Sequence, residues 1–301
     1  MAKIAVALDQ ALNVRRRHDQ PGVTIPNVLA RGEGWSVADV VCTAGPDDRP
    51  FEEAHACATI AVVVAGSFTY TSSTGRALMT PGAMMLGNRG HCYTCGHEHG
   101  DGDRCVSFWY GPEVFERVLA DVGARVGKDA FTAARLPPLR ELAPLVALAA
   151  RGVLTPDATA WEELSVTLAA RVVGLAGDPT HTSHTPLNAE ARVAAIVHEI
   201  DHGIETASDA SLTLADLAKR AGLSPYHFLR TFEQVTGVTP HQYILRARLR
   251  RAAIRLAMEP TRVVDIALET GFGDLSNFNR TFRMEFGASP RLYRRSHESQ
   301  R

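Results

Sequence analysis

The pattern of apolar and polar positions changes character along the chain. From Trp35 the apolar residues fall in short β-prone runs cut by turn residues. Trp35–Cys42 predicts a strand closed by Gly45-Pro46-Asp47-Asp48, and Thr59–Val64 is a continuous apolar run ending at Gly66. Phe68-Thr69-Tyr70 alternates up to a turn at Ser72–Gly75, Ala77–Met79 leads into Pro81-Gly82, and Met84–Leu86 and Val106–Tyr110 extend the series. Short strands at close spacing with turn signals predict a small antiparallel barrel or sandwich. From Pro112 the spacing becomes helical, over Val114–Val122, Leu139–Arg151 and Asp157–Gly174. Residues 1–34 show little pattern beyond a short helix near Ile4–Val14. The Thr/His/Pro-rich run 178–188 reads as a linker, and Ala189–His202 as the first helix of the C-terminal domain. The predicted class is α+β: residues 1–111 a β-barrel, 112–177 its helical extension, and 189–296 an all-α domain.

The all-α part contains a repeat. Ala215-Asp216-Leu217-Ala218, Gly222, Phe228–Phe232, Gly237 and Pro240 recur as Val264-Asp265-Ile266-Ala267, Gly271, Phe278–Phe282, Gly287 and Pro290. The offset is 49 residues up to Gly222 and 50 from Phe228, so the second turn is one residue longer. One supersecondary unit is used twice. Each unit reads as helix, tight turn, helix. Leu214, Leu217 and Ala218 form an apolar stripe, and Gly222 stands where a helix ends in the left-handed conformation. Ser224 caps the next helix with Pro225 behind it, and Asp274 caps the matching helix. Phe228 and Phe232, like Phe278 and Phe282, lie four apart and face inward. Outward go Tyr226, His227 and Arg230 in one unit, and Ser276, Asn279, Arg280 and Arg283 in the other.

A helix that presents Arg, Asn, Ser and Tyr near its N-terminus suits a DNA major groove, where Arg bonds guanine and Asn bonds adenine in bidentate fashion. A solvated helix face has the same composition, but two such faces in tandem favour the groove. The connector His241–Met258 is rich in Arg (Arg246, Arg248, Arg250, Arg251, Arg255). At ~1.5 Å per residue it spans roughly 27 Å, near the roughly 34 Å between successive major-groove faces. Arg246, Arg250 and Arg251 are expected on phosphates, which fix position without reading sequence.

These residues resemble the AraC/XylS family of transcription regulators. Ile266-Ala267, Gly271-Phe272, Phe278, Arg280, Phe282, Gly287, Ser289-Pro290 and Tyr293-Arg294 fall where that family's signature has such residues, and the resemblance covers about the last hundred residues. It implies base contacts from Tyr226, Leu229 and Arg230 and from Ser276, Asn279 and Arg280, with Ser224, His227, Asn277 and Arg283 on the same faces. Leu229 replaces the polar residue often found there and would touch a thymine methyl. The resemblance also implies a double-stranded DNA operator, RNA polymerase as partner, an activator's role and a homodimer formed through the helices of 112–177. The first half resembles the cupin-like sensor domain that precedes such units: His55 with Gly66, then Pro81-Gly82 and His91, match its two motifs. The acidic residue between His55 and Gly66 is missing, Thr59 standing near its place.

Charge sharpens the division. Residues 211–301 hold 15 Lys/Arg against 8 Asp/Glu, while 1–210 hold 17 against 25, inside a net charge of −1. A basic end on an acidic body fits a nucleic-acid-binding module attached to something else. No apolar run approaches the ~18 residues of a membrane helix, and no charged-then-apolar leader opens the chain, so a cytoplasmic protein is expected. Five cysteines in such a chain point to thiol or metal chemistry rather than to disulfides.

Three of them lie in His91-Cys92-Tyr93-Thr94-Cys95-Gly96-His97-Glu98-His99 and, a few residues on, at Cys105. Cys92 and Cys95 have the spacing that grips one ion from a tight turn. His97, His99 and Cys105 can complete a tetrahedral shell suited to zinc, with His55 and Cys57 in reach. A metal or small-molecule effector, a thiol switch and plain packing, with Cys42 as a buried strand residue, all remain open. The rivals to a regulator are a metal-dependent cupin enzyme carrying a DNA-binding tail, and methyl transfer to a cysteine.

Overall fold

The computed structural model describes residues 2–18, 20–97, 102–124, 129–156, 159–176, 187–205 and 212–298. The first half is a pair of antiparallel sheets with helices on one outer face, and the second half is helical throughout. Helix α1 (Ala2–His18) leads into β1 (Thr24–Gly32) and β2 (Trp35–Cys42). Next come β3 (Phe51–Ala54), β4 (Ala58–Gly66), β5 (Phe68–Ser72), β6 (Gly75–Met79), β7 (Met84–Gly87), β8 (Cys92–Gly96), β9 (Asp103–Tyr110) and, after helix α2 (Pro112–Asp121), the two-residue β10 (Arg135–Leu136). One sheet has the order β1-β2-β9-β4-β7-β10 and the other β3-β8-β5-β6.

The apolar run in β4 is continuous because both its faces are covered. Ile60, Val62 and Val64 pack with Val37, Val106 and Phe108 against α1 and the helices beyond β10. Ala61 and Val63 point the other way and meet Phe68, Tyr70, Met79, Met85 and Cys105 between the sheets. A strand buried on one face alone would alternate. Among the described residues β1 pairs only with β2, and it is largely exposed. It tolerates Pro26, as an edge strand can.

Helices α3 (Ala143–Leu154), entered through a 3-10 turn at Arg140–Leu142, and α4 (Trp161–Ala176) cover the large sheet. Pro144, at the start of α3, lacks the N–H that a first-turn residue leaves unused, so the expected Leu139–Arg151 helix begins later than its apolar spacing suggests. The expected linker 178–188 lies outside the described residues except for Leu187 and Asn188, which already belong to α5 (Leu187–Glu205).

The repeat is realised as α6 (Leu214–Arg220) and α7 (Pro225–Thr236), a long helix α8 (Pro240–Met258), then α9 (Val263–Glu269) and α10 (Leu275–Phe286), closed by α11 (Pro290–Glu298). The first helices start 49 residues apart and the second ones 50, as the sequence offset requires. Leu217, Phe228, Phe232 and Tyr243 fill one core, and Ile266, Phe278, Phe282 and Tyr293 the other. Leu214, expected in the first stripe, stays 38% exposed.

The halves are tightly docked. α3 lays Ala143 and Ala147 against Leu249, Ala252, Ala253 and Leu256 of α8, and Ile254 of α8 reaches the core of the first half. Glu190 on α5, buried, accepts from Thr69 Oγ1 at 2.5 Å and pairs with Arg76 at 3.3 Å. Arg135, also buried, donates to Leu78 O at 2.7 Å and to Val235 O at 2.6 Å. Arg140 Nε donates to Met284 O at 2.8 Å.

Candidate nucleic-acid interface

The two candidate recognition helices are α7 and α10. Ser224 Oγ accepts from His227 N at 3.4 Å, and Asp274 Oδ1 from Asn277 N at 2.7 Å, so each helix starts on a side-chain cap. Each ends in a left-handed glycine, Gly237 at φ 79° and Gly287 at φ 72°. Phe228, Phe232, Phe278 and Phe282 are fully buried and fix which face turns outward. Among the described residues that face is clear of the rest of the fold. Tyr226 is 69% exposed, and His227, Arg230, Ser276, Asn277, Asn279, Arg280 and Arg283 are exposed with it. Leu229 is half-buried. Arg280 Nη2 donates to Asn277 Oδ1 at 3.2 Å, one turn back, which steadies the guanidinium on the surface. Arg262, Arg280, Arg283 and Arg291 ring a shallow groove between α9, α10 and α11, with Asn279 and Ser289 on its walls.

Arg246 and Arg250 do not belong to that surface, contrary to the phosphate role expected of them. Arg250 is 5% exposed and lies against Gly82, where an added Cβ would come within 2.6 Å of its Nη1. Arg246 donates to Pro138 O at 2.6 Å and pairs with Glu285 at 3.4 Å. Burial lowers the Arg246 pKa and raises that of Glu285. The reason is the packing of α8, which is enclosed by both helical units and by α3 rather than standing as an exposed rod.

The cysteine and histidine cluster is also rearranged. Cys92 and Cys95 do not flank a tight turn. Both lie in β8, paired with Ala54 and Phe51 of β3. Strand residues three apart point to opposite faces: Cys92 is exposed and Cys95 packs into the space between the sheets. Burial pushes the Cys95 thiol well above its usual range. His99 lies outside the described residues. Cys57 is half-buried, its thiol also pushed up by burial.

His97 and Cys105 come together with two residues that sequence spacing did not join to them. His97 Nε2 lies 2.7 Å from Asp103 Oδ1, and Cys105 Sγ donates to Asp103 Oδ2 at 3.2 Å. Cys42, read as a plain core residue, offers a thiol to the same place: its donor atom and those of His97 and Asp103 lie within 4.8 Å of one another. Burial works against a charged His97, but Asp103, with Cys42, more than offsets it and holds the ring up at about 10.

His55 stands apart from this group. Its Nε2 lies 2.8 Å from Tyr70 Oη and its ring stacks on Tyr93 at 4.1 Å. His91, its partner in the expected motif, lies 2.6 Å from Asp129 and 2.5 Å from Ser73 Oγ. Burial, with the nearby His91 charge, lowers the His55 pKa to about 4. The unfolded chain therefore takes up a proton near pH 6.5 that the folded one refuses until about pH 4. Stability is full above 6.5 and falls as the pH drops through that window, by on the order of 3 kcal/mol. Urea unfolding of His55→Gln between pH 7 and 4 is expected to lack this part of the decline. An undiminished slope would mean that other groups carry it.

Residues 217–296 match the family described as a helix-turn-helix domain. The transposon Tn10 TetD protein of Escherichia coli is 37% identical over 101 residues, which are 34% of this chain and 73% of that one. The HTH-type transcriptional activator AarP of Providencia stuartii is 35% identical over 103 residues, 34% of this chain and 76% of its own length. The transcriptional regulator Rob of Salmonella typhimurium is 36% identical over 105 residues, 35% of this chain but 36% of Rob, so the chain spans little more than a third of that relative. Among solved structures, an AraC-type regulator from Chromobacterium violaceum aligns at 27% identity over 37% of this chain and 96% of its own, with a TM-score of 0.33, too low to bear on the fold. On the two relatives that it matches over about three quarters of their length, the chain belongs to the AraC/XylS family of transcription regulators.

Proposed function

We propose that the protein reads a specific operator in double-stranded DNA by seating α7 and α10 in successive major grooves. One observation carries this: two helices built by a repeat each start on a side-chain cap, bury a Phe pair four apart and expose a polar face. α8 holds them apart by a length close to one turn of duplex. Tyr226 and Arg230 on one helix, and Ser276, Asn279 and Arg280 on the other, read base edges. Arg283, Arg262 and Arg291 on the groove rim take the phosphate contacts. The two-sheet half, in this reading a cupin-like sensor, receives the signal, and α2 and α4, which keep an exposed face while α3 is enclosed, pair two copies. RNA polymerase and an effector complete the assembly. Membership of a regulator family removes the reading as a cupin enzyme.

Selection of bound duplex from a random pool tests the proposal. Arg280→Ala is expected to relax the selected sequence at one base pair and to weaken operator binding by ~1–3 kcal/mol. A variant that selects the wild-type sequence with wild-type affinity would show that α10 presents another face.

A further inference from the structure

We infer that the end of the sandwich where β2 meets β9 binds a zinc-class divalent cation through Cys42, His97 and Asp103, with Cys105 closing the shell. The inference goes beyond the DNA-binding reading and stands or falls without it. β2 and β9 pair so that Cys42 lies directly opposite Asp103, and Cys105, two residues on, projects from the same face. Gly102 makes the approach close, since a Cβ there would come within 2.6 Å of Cys42 O. His97 enters from the end of β8. These four residues are at most 5% exposed.

The donor chemistry argues against ordinary core packing. Two thiols, an imidazole and a carboxylate share one buried space, where apolar side chains would pack at lower cost. His97 Nδ1 is buried and, apart from the Cys42 thiol beside the ring, has no hydrogen-bond partner among the described residues. Donor atoms of Cys42, His97 and Asp103 already lie within 4.8 Å of one another, so modest closure brings them onto one ion. Sulfur, nitrogen and oxygen in a four-donor set suit zinc and disfavour magnesium or calcium, which take oxygen shells. On binding, the thiols and the His97 imidazolium release their protons to solvent, leaving thiolate and neutral imidazole ligands. The ion would tie β2, β8 and β9 together.

The full chain, kept reduced and stripped with a chelator, is titrated with Co2+ alone and then with Zn2+. We expect one Co2+ per chain, with thiolate-to-cobalt charge-transfer absorption and the intense d–d bands of a tetrahedral site, displaced by Zn2+. Cys42→Ser should weaken binding by more than about 100-fold, beyond the loss typical of outer-shell partners. The double variant Cys57→Ser, Cys92→Ser should keep the spectrum. Absence of the sulfur charge-transfer band in wild type overturns the inference, and so does its loss in the double variant. Where Cys42→Ser does not fold, as read by circular dichroism, the wild-type and double-variant spectra decide.

Discussion

Phe282→Ala is expected to lower the stability of the chain by about 3–5 kcal/mol, the range for deleting a buried aromatic ring from a core that relaxes only in part. Phe282 is fully buried and its ring centroid lies 5.5 Å from Phe278, 4.5 Å from Phe286 and 5.3 Å from Tyr293. Three rings from two helices lose their common neighbour at once. The same ring sets the roll of α10, so operator affinity should fall even where the variant is still mostly folded. Met284→Ala, two residues on and 54% exposed, is the control and should shift stability by no more than about 0.5 kcal/mol. Urea unfolding of both variants, beside wild type, checks the pair. A loss under about 1 kcal/mol for Phe282→Ala would mean that the aromatic cluster is not the core of the second unit.

Arg135→Met should cost on the order of 4 kcal/mol while nearly keeping the volume. The guanidinium is buried and reaches Leu78 O on β6 and Val235 O in the last turn of α7. Burial lowers its pKa from 12.5 to about 10. Val235 O is one of the carbonyls that a helix leaves unpaired at its C-terminal end. Leu78 lies on β6, which among the described residues pairs only with β5 and so ends its sheet. Methionine fills the space and leaves two buried carbonyls without donors, each a loss of about 1–3 kcal/mol. Thermal unfolding of the full chain measures it. An unchanged melting temperature would show that the docking of the two halves does not depend on this residue.

What the sequence made legible came from local rules. The repeat was visible because a Phe pair four apart, an N-cap and a terminal glycine are each short-range signals, and all three occur twice. β4 was visible because a strand covered on both faces needs no alternation, only a run of Ala, Ile and Val. β3 and β8 were missed because they are short, and because the Cys and His of the second suggest a metal-gripping turn although its Tyr and Thr favour a strand. The cysteine spacing misled for the same reason: Cys-x-x-Cys grips an ion from a turn, and β8 is extended. Cys42 and Asp103 meet through strand register, over a separation that no spacing rule reaches. Arg250 was misplaced by its neighbours' charge. A better signal was present in the run Ala252-Ala253-Ile254-Arg255-Leu256-Ala257, apolar nearly all round, which marks a helix enclosed by its surroundings.

Arg135 and Arg140 stand five positions apart in one short segment of the first half, and each clasps the tail of a different one of the repeated helices, α7 and α10. Between them, Pro137 presses on Gly237, where a Cβ would approach within 2.4 Å. Each positive group sits at the negative end of a helix dipole, opposite the capped N-terminus. The segment touches both helices at once, through Val235 O on α7 and Met284 O on α10. In the DNA-binding mode proposed above, one segment therefore bears on the placement of both helices on the duplex.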